Sequence, residues 1–154
     1  SWRIALMAFW MKDEFPDVDI DKVIRMCLIH DLGECFIGDI PTFAKTDADE
    51  AREEAELMAW VRSLPEPVSG EMEALYREMI ALETPEAKLY KAMDKLEAIV
   101  QHNESDIATW EPHEYQLNMT YADDAVAWSP VLRELREAIR NDTKAKIAAA
   151  EQQA

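Results

Sequence analysis

The sequence predicts an all-α fold of six or seven helices, and three observations predict it. Apolar residues recur at three- and four-residue spacing through most of the chain, the period of a helix with one buried face. Only three glycines occur in 154 residues, too few for a succession of tight hairpins. The composition leans on Ala, Leu, Glu, Met and Lys, the residues that lose least on entering a helix. No segment reads as a convincing strand.

The elements follow in order. Residues 1–12 read as a helix with Ile4, Met7, Ala8 and Met11 on one stripe, stopped by Pro16 and Asp17. Asp19 is placed to cap a second helix through Val23, Ile24, Cys27 and Leu28 to His30 and Asp31. That helix is apolar on most sides and should be central. Gly38-Asp39-Ile40-Pro41 reads as a turn. Thr46 opens a third helix whose first turn carries Asp47, Asp49 and Glu50, where carboxylates suit the helix dipole. It ends near Leu64 and Pro65, and a fourth helix runs from about Val68 to Leu82. Thr84-Pro85 restarts the chain with proline at the first helical position. The fifth helix carries Leu89, Met93, Leu96 and Val100 as a buried stripe. Residues 103–120 are less periodic, contain Pro112 and read as irregular. Helical pattern returns over 121–128 and again over 130–150.

The length fits one domain spanning residues 1–154, with 141–154 a polar helix end or tail. The chain starts at Ser1 inside a helix, so a truncated N-terminus is expected. With 16 Lys and Arg against 32 Asp and Glu, the net charge is −16. That argues against a nucleic-acid polymer as partner, since such binding rests on clustered Lys and Arg. A small phosphorylated ligand stays possible, because a bound metal ion inverts the local field. Cys27 and Cys35 form no Cys-x-x-Cys pair and read as reduced core thiols of a cytoplasmic protein. No apolar run reaches membrane-spanning length, so no membrane partner is expected.

The chemistry concentrates in His30-Asp31-Leu32-Gly33-Glu34 and the Gly38–Pro41 turn behind it. Imidazole and carboxylate are both good ligands for a divalent metal. Neighbouring helical residues point roughly 100° apart, so His30 and Asp31 can flank one ion, with Glu34 one turn on. A bare His-Asp pair is common. Here it sits in an apolar helix, where an unpaired carboxylate is unfavourable, and Glu34 and Asp39 crowd the same stretch. A second piece is Lys91-Ala92-Met93-Asp94-Lys95-Leu96-Glu97, with Asp94 beside the buried stripe. On its own, Asp94 reads equally as a boundary carboxylate paired with Lys91, Lys95 or Arg25. The acidic run 47–56 reads as a solvated helix face, and His102 and His113 as structural or solvent-facing.

Taken together, Ser-Trp-Arg-Ile-Ala at 1–5, His-Asp-Leu-Gly-Glu at 30–34, Gly-Asp-Ile-Pro at 38–41 and Lys-Ala-Met-Asp-Lys-Leu-Glu at 91–97 resemble the HD superfamily of metal-dependent phosphohydrolases. Within it, they resemble the group containing bacterial HD-domain 5′-deoxynucleotidases and the eukaryotic HD domain-containing protein 2. The resemblance implies an HD-domain helical bundle in which His30, Asp31 and Asp94 hold a divalent ion, one of Mn, Co, Ni, Fe, Mg or Zn. It places a further histidine ligand just before Ser1. It makes Glu34 and Asp39 catalytic, and gives Lys45 and Arg3 a claim on the substrate phosphate.

The implied reaction is removal of phosphate from (deoxy)nucleoside 5′-monophosphates by a metal-activated water, in a homodimer. Two rivals stand beside it. A hydrolase of signalling nucleotides is one, but its usual His-Asp-x-x-Glu-Asp pattern is broken here by Cys35. A non-catalytic HD-fold binding module is the other.

Overall fold

The computed structural model describes residues 1–38 and 46–152. Among them the chain is helical throughout, with seven helices of nine or more residues, two single turns of α-helix, two short 3₁₀ turns and no strand. Helix α1 is Trp2–Trp10, α2 Ile20–Ile29, α3 the single turn Glu34–Ile37, α4 Asp47–Ser63 and α5 Val68–Ala81. Helix α6 is Pro85–Glu104, α7 Pro112–Thr120, α8 the single turn Asp123–Val126 and α9 Pro130–Glu151.

The starts are capped as the sequence signals. The Asp19 carboxylate accepts from the Lys22 amide at 3.0 Å, and Thr84 Oγ1 accepts from the Ala87 amide at 3.2 Å. Thr46 and Asp49 form a reciprocal capping box on α4. Each satisfies amides that the first helical turn leaves without partners.

Helix α6 is the axis of the bundle. It packs on α1, α2, α5, α8 and α9, and α2 packs in turn on α1 and α5. The reason is written in its side chains: Leu89, Ala92, Met93, Leu96 and Ile99 all lie at or below 1% exposure, covering more than one stripe of the cylinder. Val23, Met26 and Cys27 of α2 are wholly buried against it.

Three sequence expectations fail locally, each for a physical reason. Residues 103–120 are largely helical. Pro112 is the first residue of α7, not a break, and Glu111 with Glu114 builds a capping box ahead of it. The periodicity is faint because Asn118 is the one buried residue of α7. Within 121–128 only α8 is helical, because Ala122 takes a left-handed conformation, φ 72°. Cys35 is exposed, while Cys27 is buried; α3 is too short to bury any residue. No helix among the described residues is long and apolar enough to cross a membrane.

Candidate metal centre

Helix α2 ends at Ile29, one residue before the histidine. His30 is its C-cap, and residues 31–33 turn tightly, with the Leu32 amide on Ile29 O and the Glu34 amide on Asp31 O. His30 and Asp31 therefore ride on the end of α2 and not within it. Two bonds fix that end. The Tyr76 hydroxyl of α5 donates to Ile29 O at 2.6 Å, and His30 Nδ1 donates to Cys27 O at 2.8 Å. With Nδ1 committed, Nε2 is the nitrogen left to face outward.

What Nε2 faces is a pair of carboxylates. Asp31 Oδ1 lies 2.5 Å away and Asp94 Oδ1 3.2 Å away. Asp94 comes from the middle of α6, and the packing of α2 on α6 brings it there across 64 residues of chain. Its other oxygen, Oδ2, accepts from Lys91 Nζ at 2.8 Å. The Ser1 nitrogen stands 3.4 Å from Asp31 Oδ2, so the start of α1 borders the same cluster.

The charges reflect this crowding. Burial works against the imidazolium, but the hydrogen bonds to Asp31 and Asp94 outweigh it and raise His30 to about 9. Burial likewise works against the Asp94 charge, yet the bonds from His30 and Lys91 hold it down at about 2. Asp31 is lowered in the same way: burial opposes its charge and His30 more than offsets that.

The donor set suits a divalent ion, being one imidazole and two carboxylates. The orientation suits it too, since a ligating histidine typically ties its other nitrogen to a carbonyl. The spacing is tighter than ligation requires. Among the described residues no group of three or more His, Cys, Asp and Glu side chains stands ready-spaced around an ion. Ligands about 2.1 Å from one ion sit roughly 3 Å from each other. Asp94 Oδ1 already stands at that separation from Nε2, and Asp31 must turn aside. Its side chain is 42% exposed and has room to do so.

The remaining sequence candidates divide. Glu34 opens α3, half-buried, directly after the turn. Arg3 is engaged elsewhere, its guanidinium bonded to Glu97 at 2.7 Å and to Glu104 at 2.5 Å. Asp39 and Lys45 lie outside the described residues. His102 has a structural place, its ring nitrogen 3.2 Å from Asn118 Nδ2 and its carbonyl accepting from Trp110 Nε1.

A cavity of about 310 Å³ opens beside the cluster, walled by α4, α5 and α6 and reaching His30. That is at the small end of ligand pockets, about 300–1,000 Å³. Leu57, Met79 and Tyr90 line it with apolar surface, and Glu50, Glu53 and Glu54 line it with carboxylates. In the sequence alone, those glutamates look like a solvated helix face. Their spacing of three and four residues was the available signal, because it puts them on one side of α4. Gly33 explains how α4 comes so near: a Cβ there would stand 2.7 Å from Glu53 Oε1. Lys91 also lines the cavity, a place beyond the ion-pair role its sequence neighbourhood suggests.

Comparison with known proteins identifies the family and the fold. The model of the HD domain family matches residues 1–136. The chain is 34% identical over 105 residues to a 5′-deoxynucleotidase HDDC2 of Bos taurus, covering 67% of this chain and 50% of that one. It is 32% identical over 117 residues to the protein of that name from Homo sapiens, covering 75% and 56%. The chain thus spans about half the length of the curated relatives it matches. A crystal structure from Magnetospirillum magnetotacticum, named a predicted metal-dependent phosphohydrolase, superposes with a TM-score of 0.75 at 30% identity, covering 94% of this chain and 75% of the other.

Proposed function

The chain belongs to the HD domain family, and from that premise we propose that it is a divalent-metal-dependent phosphohydrolase acting on (deoxy)nucleoside 5′-monophosphates. The observation that carries this reading is the meeting of Asp31 and Asp94 on His30, which itself lines a cavity of about 310 Å³. The names of the similar proteins support both the metal and the nucleotide.

In this reading His30 Nε2, Asp31 and Asp94 hold the ion. The bond from His30 Nδ1 to Cys27 O keeps the ring aimed, and Lys91 keeps Asp94 aimed. A divalent ion held there supplies Lewis-acid polarisation of the phosphoryl group and acidifies water. Glu34 takes the proton of the attacking water or returns one to the leaving 5′-oxygen, with Asp39 sharing that work. Lys45 and Arg3 remain proposed phosphate contacts; Arg3 would first have to leave Glu97 and Glu104. The walls of Leu57, Met79 and Tyr90 take up the nucleoside. A histidine joined to the Ser1 nitrogen would stand beside Asp31, where the family's first ligand belongs.

We also read the protein as a cytoplasmic homodimer. Its free cysteines fit a reducing compartment, and Trp2 and Trp10 of α1 are 74% and 70% exposed.

The test is phosphate release from a panel of nucleoside 5′-monophosphates with Mn²⁺ or Co²⁺, with any natural sequence upstream of Ser1 included. Deoxynucleotides should be cleaved, and faster than ribonucleotides. Metal uptake without release from any member of the panel would favour a binding module instead.

A further inference from the structure

Lys91 occupies an unusual position. It lies one turn before Asp94 on α6, with Nζ 2.8 Å from Asp94 Oδ2, the carboxylate oxygen turned away from His30. An ammonium has three N–H donors, and this bond uses one. The side chain keeps 36% of its surface exposed, and it lines the cavity that reaches His30. It also lines a second, larger groove of about 570 Å³ along α6 with Lys88, Lys95 and Trp128. Lys91 is thus the post between the two.

The electrostatics of the cavity sharpen the point. The protein carries a net charge of −16, and three of the cavity's lining residues are glutamates. Among the described residues lining it, Lys91 alone carries a permanent positive charge. A phosphate monoester entering such a space is held only where a cation offsets those carboxylates. Lys91 offers that cation a few ångströms from the cluster. The family resemblance implies this task for Lys45 and Arg3, and the guanidinium of Arg3 is taken by two glutamates.

We propose that Lys91 is a direct ligand of the substrate's phosphate, donating to a phosphate oxygen with the N–H groups that Asp94 does not use. This rests on the phosphohydrolase reading above. Lys91 would then do two things from one atom: orient Asp94, and register the phosphate against the groups that Asp94 helps to assemble.

The experiment titrates inorganic phosphate into the Co²⁺-loaded full chain by calorimetry, with cobalt content measured on the same samples. Lys91→Met should weaken phosphate binding roughly 10- to 100-fold, the loss of one charge-assisted hydrogen bond. The KM for a deoxynucleoside 5′-monophosphate should rise by a similar factor. Lys91→Arg keeps a cation and should recover most of the affinity. Lys88→Met, which removes an exposed charge outside this cavity, should stay within about twofold. Phosphate affinity unchanged in Lys91→Met at matched cobalt content would overturn the proposal and leave Lys91 only a support for Asp94. Equal losses in Lys88→Met would overturn it too, by showing a general charge effect. Hydrolysis by the wild type with phosphate affinity indifferent to Lys91 would sink this contact and leave the activity standing. Lys91-dependent phosphate binding in a wild type that hydrolyses nothing would do the reverse.

Discussion

His30 is held from three directions, by the Cys27 carbonyl on Nδ1 and by the carboxylates of Asp31 and Asp94 on Nε2. The local motif around residue 30 was legible in the sequence, and so was Asp94 as a candidate through its neighbours at 91–97. Their meeting was not, because it depends on how α2 crosses α6, which no local pattern states. The same limit explains the cavity glutamates: an exposed helix face and a cavity wall have the same composition, and only the approach of α4 at Gly33 tells them apart. At this scale the roles separate by substitution. Asp31→Ala should lose metal and activity together, since it removes a ligand. Glu34→Ala should keep the metal and lose about 10²–10⁴-fold in rate, the usual worth of a general acid or base. Metal content by plasma emission beside steady-state rates distinguishes the two. A Glu34→Ala protein turning over at the wild-type rate would remove Glu34 from the chemistry.

Among the elements, α6 was the most legible and is also the most consequential. Thr84 and Pro85 mark its start, and the Leu89, Met93, Leu96 stripe marks its buried side. The element read least well was α7, which lacks an apolar stripe and announces itself only by its cap. Its place depends on distant contacts, above all on Arg136 of α9. That side chain is 1% exposed, with Nη2 donating to Asn118 O at 3.0 Å and Nε to Asp123 Oδ1 at 3.1 Å. Helix α6 carries both Lys91 and Asp94, so its stability should couple to the site. Leu96 is fully buried at its centre, and Leu96→Ala should destabilise the fold by about 2–5 kcal/mol. Thr84→Ala removes the cap and the hydroxyl's bond to Glu78, and should lose about 1–2 kcal/mol. Urea denaturation of both variants checks the order; equal losses would contradict a core organised around α6.

Over the whole molecule, the long C-terminal helix α9 carries Leu132, Leu135 and Ile139 at helical spacing. The structure spends Leu132 and Ile139 inside the chain, at 0% and 5% exposure. Of the large apolar groups left outside, the most exposed, Trp2 and Trp10, lie on α1 together with Phe9. If a second copy covers that face, light scattering at micromolar concentration should give twice the 17.7 kDa chain mass, and Trp10→Lys should return the monomer mass. A wild-type monomer would rule the dimer out. At the metal centre, the expectation is that His30, Asp31 and Asp94 share one divalent ion. Crystals grown with Mn²⁺ and measured at the manganese absorption edge test it most directly. The prediction is one strong anomalous peak within about 2.0–2.3 Å of His30 Nε2 and of oxygens from both Asp31 and Asp94, with Asp31 turned off the imidazole. A manganese peak bound elsewhere, with His30 still bonded directly to both carboxylates, would contradict it.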